Sequence, residues 1–83
     1  MKVFRERLIE QRKLNSLTQR DVANYLGITQ PSYIRYERGD AEPSLTNLVK
    51  LADLFDVSVD YLLGRAEFSI IKKVEFSPLF LFA

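Results

Sequence analysis

A single glycine between two short amphipathic segments most narrows what this 83-residue chain can fold into. Gly27 ends an eight-residue segment that follows Thr18, and a second segment begins directly after Thr29. Threonine caps helix N-termini, and glycine supplies the left-handed residue that ends a helix and turns the chain sharply. Two helices joined by so few residues must cross steeply and pack closely against each other.

The same pattern of capping and closing residues recurs along the chain. Apolar residues spaced three and four apart, bounded by Ser or Thr before and often Gly after, indicate amphipathic helices. They predict five helices, over 3–14, 19–26, 30–38, 45–55 and 59–63. Pro31 suits the first turn of the third helix, where its missing N–H costs nothing. Residues 1–64 are therefore predicted to form one all-α domain.

Residues 65–83 do not follow this pattern and form a separate C-terminal tail. The run Phe68–Phe76 is rich in β-branched and aromatic residues and favours a β-strand, which Pro78 would end. A lone strand leaves its backbone groups unpaired. Three interpretations stay open: the strand pairs with its two-fold mate in a dimer, the tail folds back on its own domain, or the tail is a cloning remnant.

Composition excludes several classes of function. The chain has no cysteine and no histidine, which removes disulfides, thiolate metal sites and the commonest general base. No acidic cluster has the spacing of a calcium loop, so neither an enzyme nor a metal or other cofactor is expected. The charged N-terminus and the lack of an 18-residue apolar run predict a cytoplasmic protein without a membrane span.

The charges are distributed unevenly along the chain. Residues 1–39 carry eight basic and four acidic residues, whereas residues 40–64 carry one basic and five acidic residues. A basic half joined to an acidic half suggests one face suited to a polyanion. Ordinary surface charge explains the distribution equally well, so this observation alone decides nothing.

The stretch TQRDVANYLGITQPSYIRYERG, from Thr18 to Gly39, has the features of a helix-turn-helix. Ala23 is small where the third helix would approach, and Tyr33 and Tyr36 would seal the interface. With RYERGDAEPSLTNLVKLADLFDVSVDYLLG, from Arg35 to Gly64, the chain resembles the Cro/phage-repressor (XRE) family over about residues 4–64. The resemblance implies a five-helix lambda-repressor-like domain that binds a palindromic operator as a homodimer. It further implies a sequence-specific transcriptional regulator, expected to be a repressor.

In that family the third helix enters the major groove of double-stranded DNA, so the resemblance implies a set of DNA-binding residues. They are Gln19, Arg20, Thr29, Gln30, Pro31, Ser32, Ile34, Arg35 and Arg38. Gln30 can pair with adenine and Arg35 with guanine, and an exposed Ile34 can meet a thymine methyl. Gln19 matches a phosphate anchor, and Arg12 with Glu37 matches a buried ion pair of the scaffold.

The resemblance also implies dimerisation through the fifth helix and the residues after it. The expected dimer residues are Val57, Val59, Leu62, Leu63, Phe68, Ile70, Val74 and Phe76. One departure from the family is the loop Asp40-Ala41-Glu42, where relatives often carry Lys or Arg and where acids would repel phosphate. That loop and the apolar tail keep an alternative open: a protein-interaction module with a protein partner, such as an antitoxin or partner-sequestering regulator.

Overall fold

The computed structural model describes residues 2–67, and five α-helices account for most of them. They are α1 (Lys2–Leu14), α2 (Gln19–Leu26), α3 (Gln30–Arg38), α4 (Leu45–Phe55) and α5 (Val59–Leu62). All five predicted helices are confirmed, with bounds that differ by one residue at most. The strand predicted for Phe68–Phe76 lies outside the described residues. Within residues 2–67, no helix is long and apolar enough to cross a bilayer.

Side-chain caps begin four of the helices. At α2 the Thr18 hydroxyl accepts the Asp21 N–H at 3.0 Å, and the Asp21 carboxylate accepts the Thr18 N–H at 2.9 Å. This reciprocal pair satisfies two otherwise free donors, and the Thr18 N–H holds the pKa of Asp21 below its ordinary value. Single caps begin α3, α4 and α5 at Thr29, Ser44 and Ser58. The predicted helix starts are therefore fixed by local bonds.

The helix ends use left-handed residues. Gly27 and Gly39 end α2 and α3 with φ of 75° and 83°, as the sequence predicts. Asp56 ends α4 with φ of 56°, although it is not a glycine. Asp tolerates the left-handed region better than most side chains, so no glycine was needed to mark that end.

The core lies among the five helices: α2 packs against α3, α1 against α3, α4 against α2, and α5 against α1 and α4. Its buried apolar residues come from all five helices and from the link between α4 and α5: Phe4, Leu8, Val22, Ala23, Leu26, Tyr33, Tyr36, Leu48, Leu51, Ala52, Phe55, Val57, Tyr61 and Leu62. The rings of Tyr33 and Tyr36 meet edge to face with centroids 6.1 Å apart. Ala23, 1% exposed, leaves the room in which α3 packs against α2.

An arginine on α1 holds the end of α5. The Arg7 guanidinium donates to the carbonyl oxygens of Tyr61 and Ala66 and lies 4.2 Å from the centre of the Tyr61 ring. These carbonyls lie at the end of α5 and just beyond it, and the Tyr61 carbonyl also accepts the Gly64 N–H at 3.1 Å. Arg7 therefore attaches the chain as far as residue 66 to the helical domain.

Two residues expected at the dimer surface lie in the core instead. Val57 is 1% exposed and Leu62 is 0% exposed, so side chains of the same chain already surround them. Their assignment to the dimer surface is wrong. Val59 and Leu63 are half-buried and pack against the edge of the core, so each keeps some free surface.

Leu62→Ala should lower the free energy of unfolding by about 2–5 kcal/mol, because it leaves a cavity in a close-packed core. Chemical denaturation followed by circular dichroism measures the change. Leu14→Ala is the matched control, because Leu14 is 69% exposed, and its effect should stay within about 0.5 kcal/mol. Equal effects of the two substitutions would contradict the placement of Leu62.

Candidate nucleic-acid interface

The outer face of α3 displays most of the residues expected to contact DNA. Tyr33, Tyr36 and Glu37 turn inward and are buried. The outward set is Gln30, Pro31, Ser32, Ile34, Arg35 and Arg38. The predicted division of α3 into an inner and an outer face is therefore confirmed. Within this set Gln30 and Ile34 are half-buried, so Ile34 offers less apolar surface than expected.

Two hydroxyl groups are ordered at the start of α3. The Thr29 side chain accepts the Ser32 N–H at 3.2 Å, and its hydroxyl donates to the Ser32 hydroxyl at 2.9 Å. Both residues are exposed. Their hydroxyls are therefore held at the helix N-terminus, where backbone N–H groups favour an anion.

Beneath this face lies the ion pair of Arg12 and Glu37. Arg12 Nε and Nη2 donate to Glu37 Oε2 and Oε1 at 2.6 and 3.1 Å, while Arg12 Nη1 donates to the Leu17 carbonyl at 3.1 Å. The side chains are 13% and 5% exposed. The ion pair expected from the family resemblance is confirmed, and its two parallel bonds give it a fixed direction.

Two further donors complete this cluster, which we call the Glu37 network: Arg12, Gln19, Tyr33 and Glu37. The Tyr33 hydroxyl donates to Glu37 Oε2, and Gln19 Nε2 donates to Glu37 Oε1 at 3.0 Å. Burial acts to raise the pKa of Glu37, but the hydrogen bonds from Arg12, Tyr33 and Gln19 outweigh it and hold that pKa below its ordinary value. One carboxylate thus joins α1, α2 and α3.

The start of α2 and the start of α3 border one shallow depression on the surface. Gln19, Arg20 and Gln30 line it together with parts of Arg12 and Leu17. Arg20 is exposed there, whereas the amide nitrogen of Gln19 is already bonded to Glu37. The structure therefore brings three of the predicted residues together and shows that Gln19 belongs to both the scaffold and the surface.

At the other end of α3, Asp40 contacts both exposed arginines. Arg35 Nη2 donates to the Asp40 carbonyl oxygen at 3.4 Å, and Arg38 Nε lies 3.4 Å from Asp40 Oδ2. The side chains of Arg38 and Asp40 are 70% and 51% exposed. Asp40, which was expected from the sequence to repel phosphate, thus lies next to Arg35 and Arg38 at this end of the surface.

Sequence reasoning missed two residues that support the surface from behind. Arg7 ties α5 to α1, and Asn47 Nδ2 donates to the Tyr36 hydroxyl at 3.2 Å, joining α4 to α3. Neither lies in a recognisable motif, and only the tertiary arrangement reveals these contacts. Within residues 2–67, no group of three acidic, His or Cys residues could hold a metal ion.

Comparison with known proteins agrees with this geometry. A family model described as "Helix-turn-helix" matches residues 8–62, which is more than half of the chain. The chain belongs to the helix-turn-helix family. Similar proteins that are named as transcriptional regulators support its placement in the XRE type of that family.

One similar protein is the cryptic phage CTXphi transcriptional repressor RstR of Vibrio cholerae serotype O1. The two are 46% identical over 62 residues, which is 75% of this chain and 55% of RstR. This chain is also 46% identical over 61 residues to the uncharacterized HTH-type transcriptional regulator YqaE of Bacillus subtilis, covering 74% and 53%. The chain thus spans about half the length of these curated relatives. A crystal structure of a transcriptional regulator from Listeria innocua shares the fold, with a TM-score of 0.75 at 22% identity over 96% of this chain and 77% of that one.

Glu37→Gln should lower the free energy of unfolding at neutral pH by about 3–5 kcal/mol, because Arg12 keeps its charge without the carboxylate. In the wild type the folded pKa of Glu37 lies below its ordinary value of 4.5. Its stabilisation is therefore complete above that value and is lost as the pH falls through the folded pKa. Denaturation at a series of pH values measures both effects.

Asp21→Asn is the control for acid sensitivity. The pKa of Asp21 is also lowered, but its side chain is exposed, so this variant should keep most of the wild-type loss of stability in acid. Glu37→Gln should lose much less than the wild type over the same range. A Glu37→Gln variant that melts within a degree or two of the wild type would contradict the buried network.

Proposed function

We propose that this chain is a sequence-specific DNA-binding transcriptional regulator, a repressor that binds its operator through α3. The observation that carries the proposal is the outer face of α3, with Gln30 and Arg35 directed away from a core that holds the rest of the helix. A helix supported in this way fits the width of the major groove. The names of the two curated relatives, both transcriptional regulators, support the same function.

The proposed contacts divide into base readout and phosphate binding. Gln30 suits adenine and Arg35 suits guanine, since each can form two hydrogen bonds to those base edges. Arg20 and Arg38, with Gln19 and the hydroxyls of Thr29 and Ser32, suit phosphate oxygens, which position the protein without reading sequence. Pro31 and Ile34 offer apolar contact to thymine methyl groups.

The Glu37 network prepares this surface before DNA arrives. Because the Glu37 carboxylate binds donors on α1, α2 and α3, the network fixes the position of the depression at Gln19 relative to the face of α3 that carries Arg35. Groups that are ordered in the free protein lose less conformational entropy when they bind. The network therefore contributes to affinity although Glu37 itself is buried.

We further propose that the regulator acts as a homodimer on a palindromic operator. Val59 and Leu63 keep free edges at α5, and Leu63 lines a groove with Leu45, which is 82% exposed. Exposed apolar surface of this kind favours a partner. A two-fold axis at this face would present two α3 helices to half-sites one turn apart, about 34 Å.

Duplex DNA selected from a random pool tests the proposal directly. The expected product is a two-fold symmetric site, bound with an affinity that falls steeply as salt rises. Binding of no duplex, or binding that ignores sequence at every salt concentration, would contradict it. The chain would then fit the alternative, a module that binds a protein partner.

Arg35→Ala should weaken binding to the selected site by about 1–3 kcal/mol and relax the preference at one base pair in each half-site. Arg20→Ala should weaken all duplexes alike, because it removes a phosphate contact. Fluorescence anisotropy with the selected site and single-base variants measures both. Lys50→Ala, which removes an exposed charge on α4, is the control and should change neither property much. If Arg35→Ala leaves affinity and preference unchanged, α3 does not read the bases as proposed.

Removal of residues 68–83 should weaken the dimer and lower operator affinity, while the helical domain still folds. The expected dimer residues Phe68, Ile70, Val74 and Phe76 fall in this part of the C-terminal tail and lie outside the described residues. A chain ending at Glu67 keeps the bond from Arg7 to the Ala66 carbonyl, so the end of α5 stays attached. Sedimentation and operator binding measure the change. If the shortened chain dimerises and binds as tightly as the full chain, the tail does not hold the dimer together.

A further inference from the structure

Asp40 is fixed in place by the end of α3. Gly39 adopts a left-handed conformation there, and the Asp40 N–H donates to the Arg35 carbonyl at 2.9 Å. Arg5 crosses this turn so closely that a Cβ on Gly39 would lie 2.6 Å from Arg5 Cδ. Asp40 therefore begins its loop from a defined position beside the last turn of α3.

From this position Asp40 makes different contacts with two cations of the proposed DNA-binding surface. Its backbone carbonyl accepts from Arg35, which we assign to base readout, and its carboxylate pairs with Arg38, which we assign to phosphate. Glu42, two residues later, forms no ion pair with the described residues, although it carries the same charge. Asp40 and Glu42 therefore carry the same charge, but only Asp40 forms an ion pair with the described residues.

Resting on the proposed function, we propose that Asp40 is a positioning residue that limits the sequence-independent part of DNA affinity. Its carboxylate competes with DNA phosphate for Arg38, so Arg38 must leave one anion to reach another. Its carbonyl restrains Arg35 at the end of α3 and does so whatever the side chain is. The side chain of Asp40 thus sets how tightly all duplexes bind, while the choice of sequence stays with α3.

The test is Asp40→Asn, which removes the charge and keeps the carbonyl. An exposed ion pair of this kind is weak, so its loss should raise affinity for any duplex by about two- to fivefold at physiological salt. In the wild type the Asp40 carboxylate that Arg38 leaves takes up a cation, which offsets part of the counterion release. Without this carboxylate the slope of log affinity against log salt should steepen by up to about 0.9 for each bound protomer. The selected operator sequence should stay the same.

Glu42→Gln is the matched control, because it removes the same charge from the same loop without breaking an ion pair. At physiological salt, charges more than about 8 Å apart are largely screened, so Glu42→Gln should raise affinity less than Asp40→Asn does. Its salt slope should stay unchanged. In an Arg38→Ala background, Asp40→Asn should gain no more than Glu42→Gln does. Arg38 is largely exposed, so that background should keep the helical fold.

The outcomes separate this inference from the proposed function. Wild-type protein that binds no duplex overturns both. If the wild-type protein binds its operator, two results would overturn the role of Asp40 alone. Asp40→Asn and Glu42→Gln could raise affinity equally, or the gain from Asp40→Asn could persist without Arg38. A gain that depends on Arg38, with a steeper salt slope and the same operator, supports it.

Discussion

The buried carboxylate of Glu37 determines how the first three helices are held together. An ionised group removed from water costs several kcal/mol unless hydrogen bonds and an opposite charge replace the lost hydration. Arg12, Gln19 and Tyr33 supply that replacement from α1, α2 and α3. Because hydrogen bonds have direction and apolar contacts do not, the network specifies the crossing of these helices more narrowly than burial alone can.

A domain this small needs such directed contacts because its core is small. A short chain buries a smaller share of its surface than a long one, so each buried residue matters more. Hydrogen bonds from polar side chains also link two other pairs of helices: Arg7 links α1 to α5, and Asn47 links α4 to α3. In each case a polar side chain from one helix meets an acceptor on another, and the apolar residues fill the space between.

The helices could be predicted from sequence because their limits are local. Thr18 with Asp21, and Gly27 after α2, act through neighbours in the chain, which a sequence displays directly. The network could be predicted only in part: the resemblance supplied Arg12 and Glu37, but the bond from Gln19 to Glu37 depends on the packing of α2 against α3. Tyr33 lies one turn before Glu37 on α3 and was predicted only as a core residue.

The misassigned dimer residues show a different limit. The helix α5 spans four residues, fewer than the windows in which helical periodicity can separate an inner from an outer face. Val57, just before α5, and Leu62 were assigned to the dimer surface from the family resemblance, and no periodicity in so short a helix could correct that assignment. Their burial follows from the tertiary arrangement, in which α5 packs against α1 and α4.

The buried Glu37 and the exposed Arg35 and Arg38 lie on opposite sides of the last turn of α3. Residues of an α-helix are spaced about 100° apart, so an inward Glu37 turns Arg38 and Arg35 away from the core. The bonds that hold Glu37 thereby set the rotation of α3 about its own axis, and with it the direction of both arginines. Asp40 follows directly after Gly39 and acts on the same two side chains from outside. The orientation of both arginines thus depends on a buried carboxylate, Glu37, whereas the charge next to them comes from an exposed one, Asp40.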